Sequence, residues 1–462
     1  MIQDEILHKT LKAALSSGGE YADIFIEHKK TTAIQVEDGK IEKVTTGSIS
    51  GVGIRLIYDG KTAYAYSNDF SEASLLLSAE TVSKALSGAS GEKVINLKKR
   101  YPEVTFRIKT APETVPMSVK VDLVLKGNEA ARKYDDRIKQ ATVIYRDSLQ
   151  KVKIATSDGF ISEDERVSTL GMVQVVAIQG DVIQTGYETV GGHAGYELLE
   201  ETPLGAIALI ASRRAIMMLG ARKAPGGRMP VIISSEAGGT MIHEAIGHGL
   251  EADLVQQGLS VYTKMKGLRV ASPAITVIDD ATLPCKRGSF SFDDEGTPSR
   301  KNVLVRQGVL AGFMYDKHAA MREGTSSTGN GRRESYESKP IPRMTNTFIE
   351  PGLMKPDEVI RSVNSGLLVK KMGGGQVNTV TGDFVFEVQE GYLIEKGSAG
   401  EPVRGATLSG NGPDVLRSID LVASDMGFSI GTCGKDGQGV PVSDGMPTLR
   451  IPEMVVGGEI FV

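Results

Sequence analysis

Residues 229–255 read MPVIISSEAGGTMIHEAIGHGLEADLV, and they hold His243, Glu244 and His248 within six positions. Val231, Ile232 and Ile233 form a β-branched run behind Pro230, the pattern of a short buried strand. Ser234 or Ser235 then offers an oxygen to cap a helix, along which Ile242, Ile246, Leu250 and Leu254 recur every four residues. That spacing lays them on one stripe facing a core and leaves the histidines and the glutamate at its border.

The spacing of the two histidines decides what they can do together. In H-E-x-x-H they stand four apart, which brings them to nearly one face of a helix. Here the pattern is H-E-x-x-x-H, and five residues turn the second imidazole roughly 140° from the first. Convergence on one ion therefore requires a local distortion, and Gly247 is the place for a π-bulge or a loosened last turn. Alternatively Glu244 and His248 form an ordinary helix-surface pair, with His243 an unrelated, partly buried histidine. The three residues alone leave both readings open.

The stretch GGTMIHEAIGHGLEADL resembles the signature of the TldD/PmbA metallopeptidase family, in its metal-bearing TldD branch. The likeness continues in order through DDEGTPSRKNVL, TGNGRRESY, PRMTNTFIEPG, GGGQV, GTCGKDGQ, VPVSDGMPTL and VGG. It covers the whole second half, whereas the first half is similar in layout more than in signature residues. The resemblance implies that His243, His248 and Cys433 hold one zinc ion per chain, with Glu244 as the catalytic carboxylate. It also implies two α+β domains, a peptide substrate bound as an extended strand in an enclosed cleft, and work with a metal-free partner subunit of the TldE/PmbA type. A dimer is expected, of the chain with itself or with that paralogue.

Two imidazoles and a thiolate leave a tetrahedral zinc with an open position, the arrangement of catalytic sites, and this donor set suits zinc. Glu244 is then expected to take a proton from water attacking a peptide carbonyl and return it to the leaving amine. An inactive, metal-stabilised regulator or scaffold subunit of a protease complex is the alternative, but a structural zinc has no use for a carboxylate beside its ligand. A cysteine hydrolase built on Cys433 would keep its activity under chelation.

A chain of 462 residues exceeds what one core fills, so two or three domains are expected. The reading is α+β with mostly antiparallel sheets: an N-terminal α+β domain over 1–222, open to division into two similar subdomains meeting near 90–110, and a β-rich domain over 223–462 that carries the HExxxH helix. With 53 Lys and Arg against 57 Asp and Glu, the net charge of -4 gives no support to nucleic-acid binding. No stretch approaches the roughly 20 apolar residues of a membrane span. Residues 1–15 read as an amphipathic helix, not a signal peptide, and the expected location is the cytoplasm. There the two cysteines, Cys285 and Cys433, are expected to be a loop or core thiol and a metal ligand, not a disulfide.

In the first half, 2–15 has helical period. Residues 21–28, 33–37, 41–46, 50–58 and 62–67 read as strands, with turn signals at Asp38-Gly39 and Asp59-Gly60, and 71–86 returns to helix. From 102 the pattern repeats more weakly, with helices over 119–133 and 203–219 and strands between them. This is a meander with helices on one face. Gly60-Lys61-Thr62 lacks the earlier glycine of a phosphate loop.

Beyond the motif, 274–278, 303–307, 309–315, 382–390 and 391–395 read as strands. The polar stretch 325–347 is long enough to serve binding, and its Arg332, Arg333 and Tyr336 offer donors for a peptide carboxylate or a carbonyl; a solvated charged loop is the alternative. Gly374 and Gly375 are candidates for a wall of the substrate cleft, and Gly431 to Gly434 for a tight turn that presents Cys433. His193 and His318 are lesser candidates. Should Cys433 not be a ligand, Glu251, Asp253 and His318 come next.

Overall fold

The computed structural model describes residues 2–86 and 94–459. The chain is α+β, with mostly antiparallel sheets. The stretches that read as four strands between 21 and 58 are two long ones, β1 (Tyr21–Glu37) and β2 (Lys40–Tyr58). They join at Asp38-Gly39, where both residues have positive φ, 47° and 81°, as a two-residue type I′ turn requires. The hairpin from β2 to β3 (Lys61–Ser67) turns in the same way at Asp59-Gly60. The pattern broke in the middle of β2 because Lys40 to Ile49 are all exposed. That ribbon runs beyond the core with both faces wet, so no alternation marks it.

Next come β4 (Lys98–Arg100), β5 (Ile138–Thr156), β6 (Phe160–Gln179) and β7 (Val182–Gly192). The sheet order is β3-β2-β1-β5-β6-β4, with β7 also on β6. The β1–β5 pairing, from Asp23 opposite Thr156 to Glu37 opposite Thr142, carries one sheet through both repeats. Of the junction expected near 90–110, residues 90–93 lie outside the described residues.

Side chains alternate between the faces of this sheet, and each face has its own partner. Ile24, Ile26, Ile34 and Val36 point to the helices. Asp4–Ala14 and Glu72–Ala85 cover one end through Leu7, Leu11, Leu75 and Val82, while Met117–Arg132 and Leu204–Gly220 cover the other through Val124, Ala131, Ala208 and Ala211. Asp23, Phe25 and Glu27 point the opposite way, toward the second half of the chain. Phe25 packs there with Tyr336, and the Arg55 guanidinium on β2 is shared between Asp23 and Glu295, the latter at 2.7 Å. All three of these charged groups are buried, so each depends on the others for its solvation.

In the second half, five strands close on themselves: Gly227–Ile233, Leu449–Gly457, Thr407–Asn411, Asp383–Glu395 and Ser365–Val377, which pairs again with Gly227–Ile233. Val231, Leu367, Phe386, Leu408 and Ile451 fill this barrel, in one core with Met241, Ile242 and Ile246 of the motif. A six-stranded sheet lies beside it, ending in the hairpin of Gln438–Met446 and Gly427–Lys435. The strand expected over 309–315 is only Val309–Leu310, since the chain leaves the ladder at Ala311-Gly312. No helix among the described residues is long and apolar enough to cross a membrane.

Candidate metal centre

The strand Gly227–Ile233 does not run straight into a helix. Ser234 accepts from the Glu236 amide and caps a single 3₁₀ turn, Ser235–Ala237. Gly238, at φ 73°, then redirects the chain where a Cβ would stand 2.4 Å from Ser429. This corrects the expected unbroken helix from the serine cap: α winding starts only at Thr240, because the Gly238-Gly239 pair breaks it. The next five residues, His243–Gly247, form a π turn, and His248–Leu250 a 3₁₀ turn. In the π turn the His248 amide donates to the His243 carbonyl, so residues five apart stack on one face. The distortion demanded by H-E-x-x-x-H is thus present at Gly247, and the two imidazoles lie 4.9 Å apart at 87°. Ile242, Ile246 and Leu250 are buried as expected, while Leu254 is half-buried.

Cys433 arrives from the hairpin. It does not sit in a tight turn, as its flanking glycines suggested, but within the strand Gly427–Lys435, opposite Val440. The turn is at Asp436-Gly437, both with positive φ. Cys433 Sγ lies 3.5 Å from His248 Nε2, and the donor atoms of His243, His248 and Cys433 all lie within 4.8 Å of one another.

Each imidazole is fixed from behind. His243 Nδ1 is 2.7 Å from Asp444 Oδ1, and His248 Nδ1 is 3.0 Å from Glu251 Oε2. With a carboxylate as acceptor, Nδ1 carries the proton and Nε2 is left for the cluster. Glu251 is buried, yet Lys435 at 3.1 Å and His248 outweigh that burial and hold its carboxyl down at about 2. Fully buried Arg343 ties the structure together by donating to the carbonyls of Cys433 and Gln438. Burial likewise favours the Cys433 thiol, but the two imidazoles bring it down to about 5. His248 is lifted to about 9 against its burial by Glu251 and Cys433. The sulfur is thereby drawn toward the thiolate, the form that ligates metal, and a metal bound at His248 Nε2 would displace the proton that this same pairing favours there.

This donor set fits a zinc-type ion. A tetrahedral ion at about 2.0–2.3 Å holds its donors roughly 3.3–3.6 Å apart, the separation already found between Cys433 and His248. Glu244 stands beside the cluster, half-buried. Burial raises its carboxyl above the usual range despite the neighbouring imidazoles, and no described residue donates a hydrogen bond to it.

The other candidates lie elsewhere. Glu251 orients His248, Asp253 pairs with Lys435 at 2.7 Å, and His318 Nε2 meets the Gly60 carbonyl at the β2–β3 turn. Arg332 and Arg333 are buried, together with His193, in the wall of a cavity beside the first sheet. Tyr336 packs against Gly51, where a Cβ would come within 2.3 Å of its ring. Gly374 and Gly375 lie at the bulged end of Ser365–Val377, and the Phe386 ring, 1.9 Å from a Cβ built on Gly375, accounts for that glycine by packing. Cys285 is exposed and unpaired. Asp444, Lys435 and Arg343 were not found from the sequence; the acidic residue in VSDGM was visible, but no local pattern ties it to a histidine 201 residues away.

Residues 226–458 match the PmbA/TldA metallopeptidase C-terminal domain, 22–89 match domain 1 of that family and 110–219 its central domain. The chain belongs to the PmbA/TldA metallopeptidase family. Within it, the chain stands with the TldD branch: it is 37% identical to the metalloprotease TldD homolog of Haemophilus influenzae, over 95% of this chain and 93% of that one. It is also 37% identical to a metalloprotease of Methanocaldococcus jannaschii, over 94% and 96%, and 28% identical to the zinc metalloprotease TldD homolog of Saccharolobus solfataricus, over 98% and 100%. Among solved structures, TldE from Thermococcus kodakarensis shares the fold, with a TM-score of 0.75 at 19% identity over 98% of this chain and 99% of that one. The relatives' names support a metallopeptidase, hence a hydrolase.

Proposed function

We propose that the chain is a zinc-dependent metallopeptidase that cleaves peptide bonds in peptides or unfolded segments, with His243, His248 and Cys433 as the ligands of one zinc ion per chain and Glu244 as the proton carrier. The observation that carries this reading is the convergence of two Nε2 atoms and a thiolate, each imidazole backed by a carboxylate, beside a carboxylate that none of them uses. A divalent ion held there supplies Lewis acidity to water and to a carbonyl, lowering the water's pKa to about 7. Glu244 accepts the proton that water loses on attacking the peptide carbonyl and delivers it to the departing amine. Its raised pKa matches both halves of that task. Asp444 and Glu251 keep both Nε2 lone pairs directed at the cluster and absorb the charge that the imidazoles gain.

A scaffold subunit would give no reason to leave Glu244 half-buried and unbonded. A dimer is part of the proposal, of the chain with itself or with a metal-free TldE/PmbA-type paralogue, the second subunit completing the enclosure of the substrate. So is a division close to 222/223, supported by sheets built separately from residues 21–192 and from 222 onward, with the strand Arg222–Lys223 going to the second domain. A thiolate ligand and an unpaired second cysteine fit a reducing compartment, and the cytoplasm is the proposed location.

Glu244→Gln tests the mechanism. Peptide cleavage should fall by two or more orders of magnitude, in keeping with roughly 10²–10⁴ for acid–base catalysis, with zinc content unchanged. Cleavage at the original rate would refute the role.

A further inference from the structure

A cavity of about 250 Å³ lies between the first sheet and the back of the Cys433 hairpin. Thr432 and Pro441 face it, whereas their neighbours Cys433 and Val440 face the core, so it is separate from the metal centre. Five cations line it: Lys29 on β1, Arg166 on β6, and Arg287, Arg332 and Arg333 from the second half. Only two acidic residues, Asp294 and Glu334, stand against them.

Two of the five are paired, in part by acids behind the lining. Arg166 is held by Asp294 at 2.6 Å and Asp164 at 3.1 Å, and Arg333 lies 3.6 Å from Asp23. The remaining three have no ion-pair partner among the described residues. Arg332 donates to the carbonyls of Met344 and Pro441. Arg287 donates to the Gly431 carbonyl and Thr432 Oγ1, with its buried Nε unpartnered. Glu334 is occupied by the Gly439 amide at 2.9 Å.

Buried cations normally come with a counter-charge, since desolvating them alone is costly. Here the surroundings push the other way. Burial, with repulsion from Arg343 and Arg166, outweighs the attraction of Asp294 and Asp279 and brings Arg332 down to about 10. Burial and Arg146 lower Arg287 as well. In the same wall His193 is 4% exposed; its Nδ1 meets the Ser289 carbonyl at 2.9 Å, and its Nε2 has no partner. With Nδ1 donating to a carbonyl, that Nε2 is an acceptor and offers nothing to an anion; the buried, unpartnered Nε–H of Arg287, beside two further cations that form no ion pair among the described residues, is the donor that marks a place built for an acceptor.

We propose that this cavity is a binding site for an oxyanion, a phosphate or a carboxylate group, held by Lys29, Arg287 and Arg332. Guanidinium groups suit either, because their planar donors match two oxygens at once. The carboxylate could come from a small acid or from the end of a peptide.

Isothermal titration of the zinc-loaded chain with inorganic phosphate, at constant ionic strength set by chloride, tests the site. Saturable binding near one per chain is expected, weakened tenfold or more in Arg287→Gln. Lys29→Gln, a change at a half-exposed side chain with no hydrogen bond or ion pair among the described residues, should weaken it at least threefold with the fold intact. Competition with a short peptide, as free acid and as C-terminal amide, then separates the sources. Displacement of phosphate by the acid alone assigns the site to peptide carboxylates, and displacement by neither assigns it to free phosphate. Absence of saturable binding of both phosphate and the peptide acid, or binding that both variants keep within twofold, would overturn the proposal.

Discussion

Replacing Asp444 by asparagine removes one negative charge from behind His243 while keeping the shape of the side chain. An amide oxygen can still accept from Nδ1, so the fold and the ring orientation should survive, and what is lost is the charge that favours Nδ1–H and strengthens Nε2 as a donor. Losing such a partner typically weakens metal affinity or activity 10–100-fold, or about 1.4–2.7 kcal/mol at roughly 1.36 kcal/mol per decade. The geometry sets where in that range the two substitutions fall. The contact is 2.7 Å, with side-chain exposures of 7% and 8%, so water has little room to replace the carboxylate. Asp444→Asn should lie near the tenfold end, and Asp444→Ala, which loses the acceptor too, near the hundredfold end. Glu251 is a less clean target, because its removal also strips Lys435 of a buried acceptor. Zinc affinity measured by competition with a chromogenic chelator, together with peptide hydrolysis at saturating zinc, reads the effect. If both variants stay within twofold of the unmodified chain in both measurements, the orienting role of Asp444 is refuted.

Cys433→Ala should lose most bound zinc and nearly all hydrolysis, whereas Cys285→Ala should keep both; metal analysis after dialysis decides, and retention of zinc without Cys433 would place the third ligand elsewhere. Burial, with Glu295 beside it, pushes the Asp316 carboxyl from 3.8 up to about 8, so it keeps its proton in the fold and releases it on unfolding. Its contribution to stability therefore falls as pH rises from about 4 to about 8, and Asp316→Asn, which can keep the 2.7 Å cap on the Ala319 amide, should flatten that fall in urea melts across the range; an unchanged pH slope would disprove it. Gly186→Ala places a Cβ 1.9 Å from the Ala211 carbonyl, and should cost about 1–3 kcal/mol by overpacking, read as a lower urea midpoint with the metal site intact; an unaltered midpoint would mean that the helix moves away freely.

The fold was legible where its signals are local. Asp38-Gly39 and Asp59-Gly60 announced two hairpins because positive φ at both turn positions is a demand on the residues themselves. The helices of the first half were readable because one face of each meets the sheet. The lengths of β1 and β2 were not, since an exposed ribbon has no inner face to alternate with. The closure of the barrel was hidden for another reason. Ser365–Val377 pairs with Gly227–Ile233, far earlier in the chain, and long-range pairing of this kind leaves no mark on either strand. Cys433 shows how a local signal can mislead: the flanking glycines suggested a turn, but the Asp436-Gly437 pair that makes it stands three residues further on.

At the metal centre, the sequence could state a demand without showing how it is met. Two histidines five apart cannot face one point from a regular helix, so the need for a π turn follows from the spacing. Such a turn widens the backbone ladder, and a carbonyl released from it inside a core must find another donor. The partner here is the Tyr262 hydroxyl, 2.9 Å from the Ala245 carbonyl. Two glycines make room for the widened coil: Gly412, where a Cβ would stand 2.5 Å from that same carbonyl, and Gly247, where it would stand 2.1 Å from Met344 Sδ. None of Tyr262, Met344 and Gly412 is among the clustered donors, and Met344 and Gly412 lie far from the motif in the chain. The geometry of the two imidazoles nevertheless depends on them, so the motif alone, moved to another helix, would not bring His243 and His248 together.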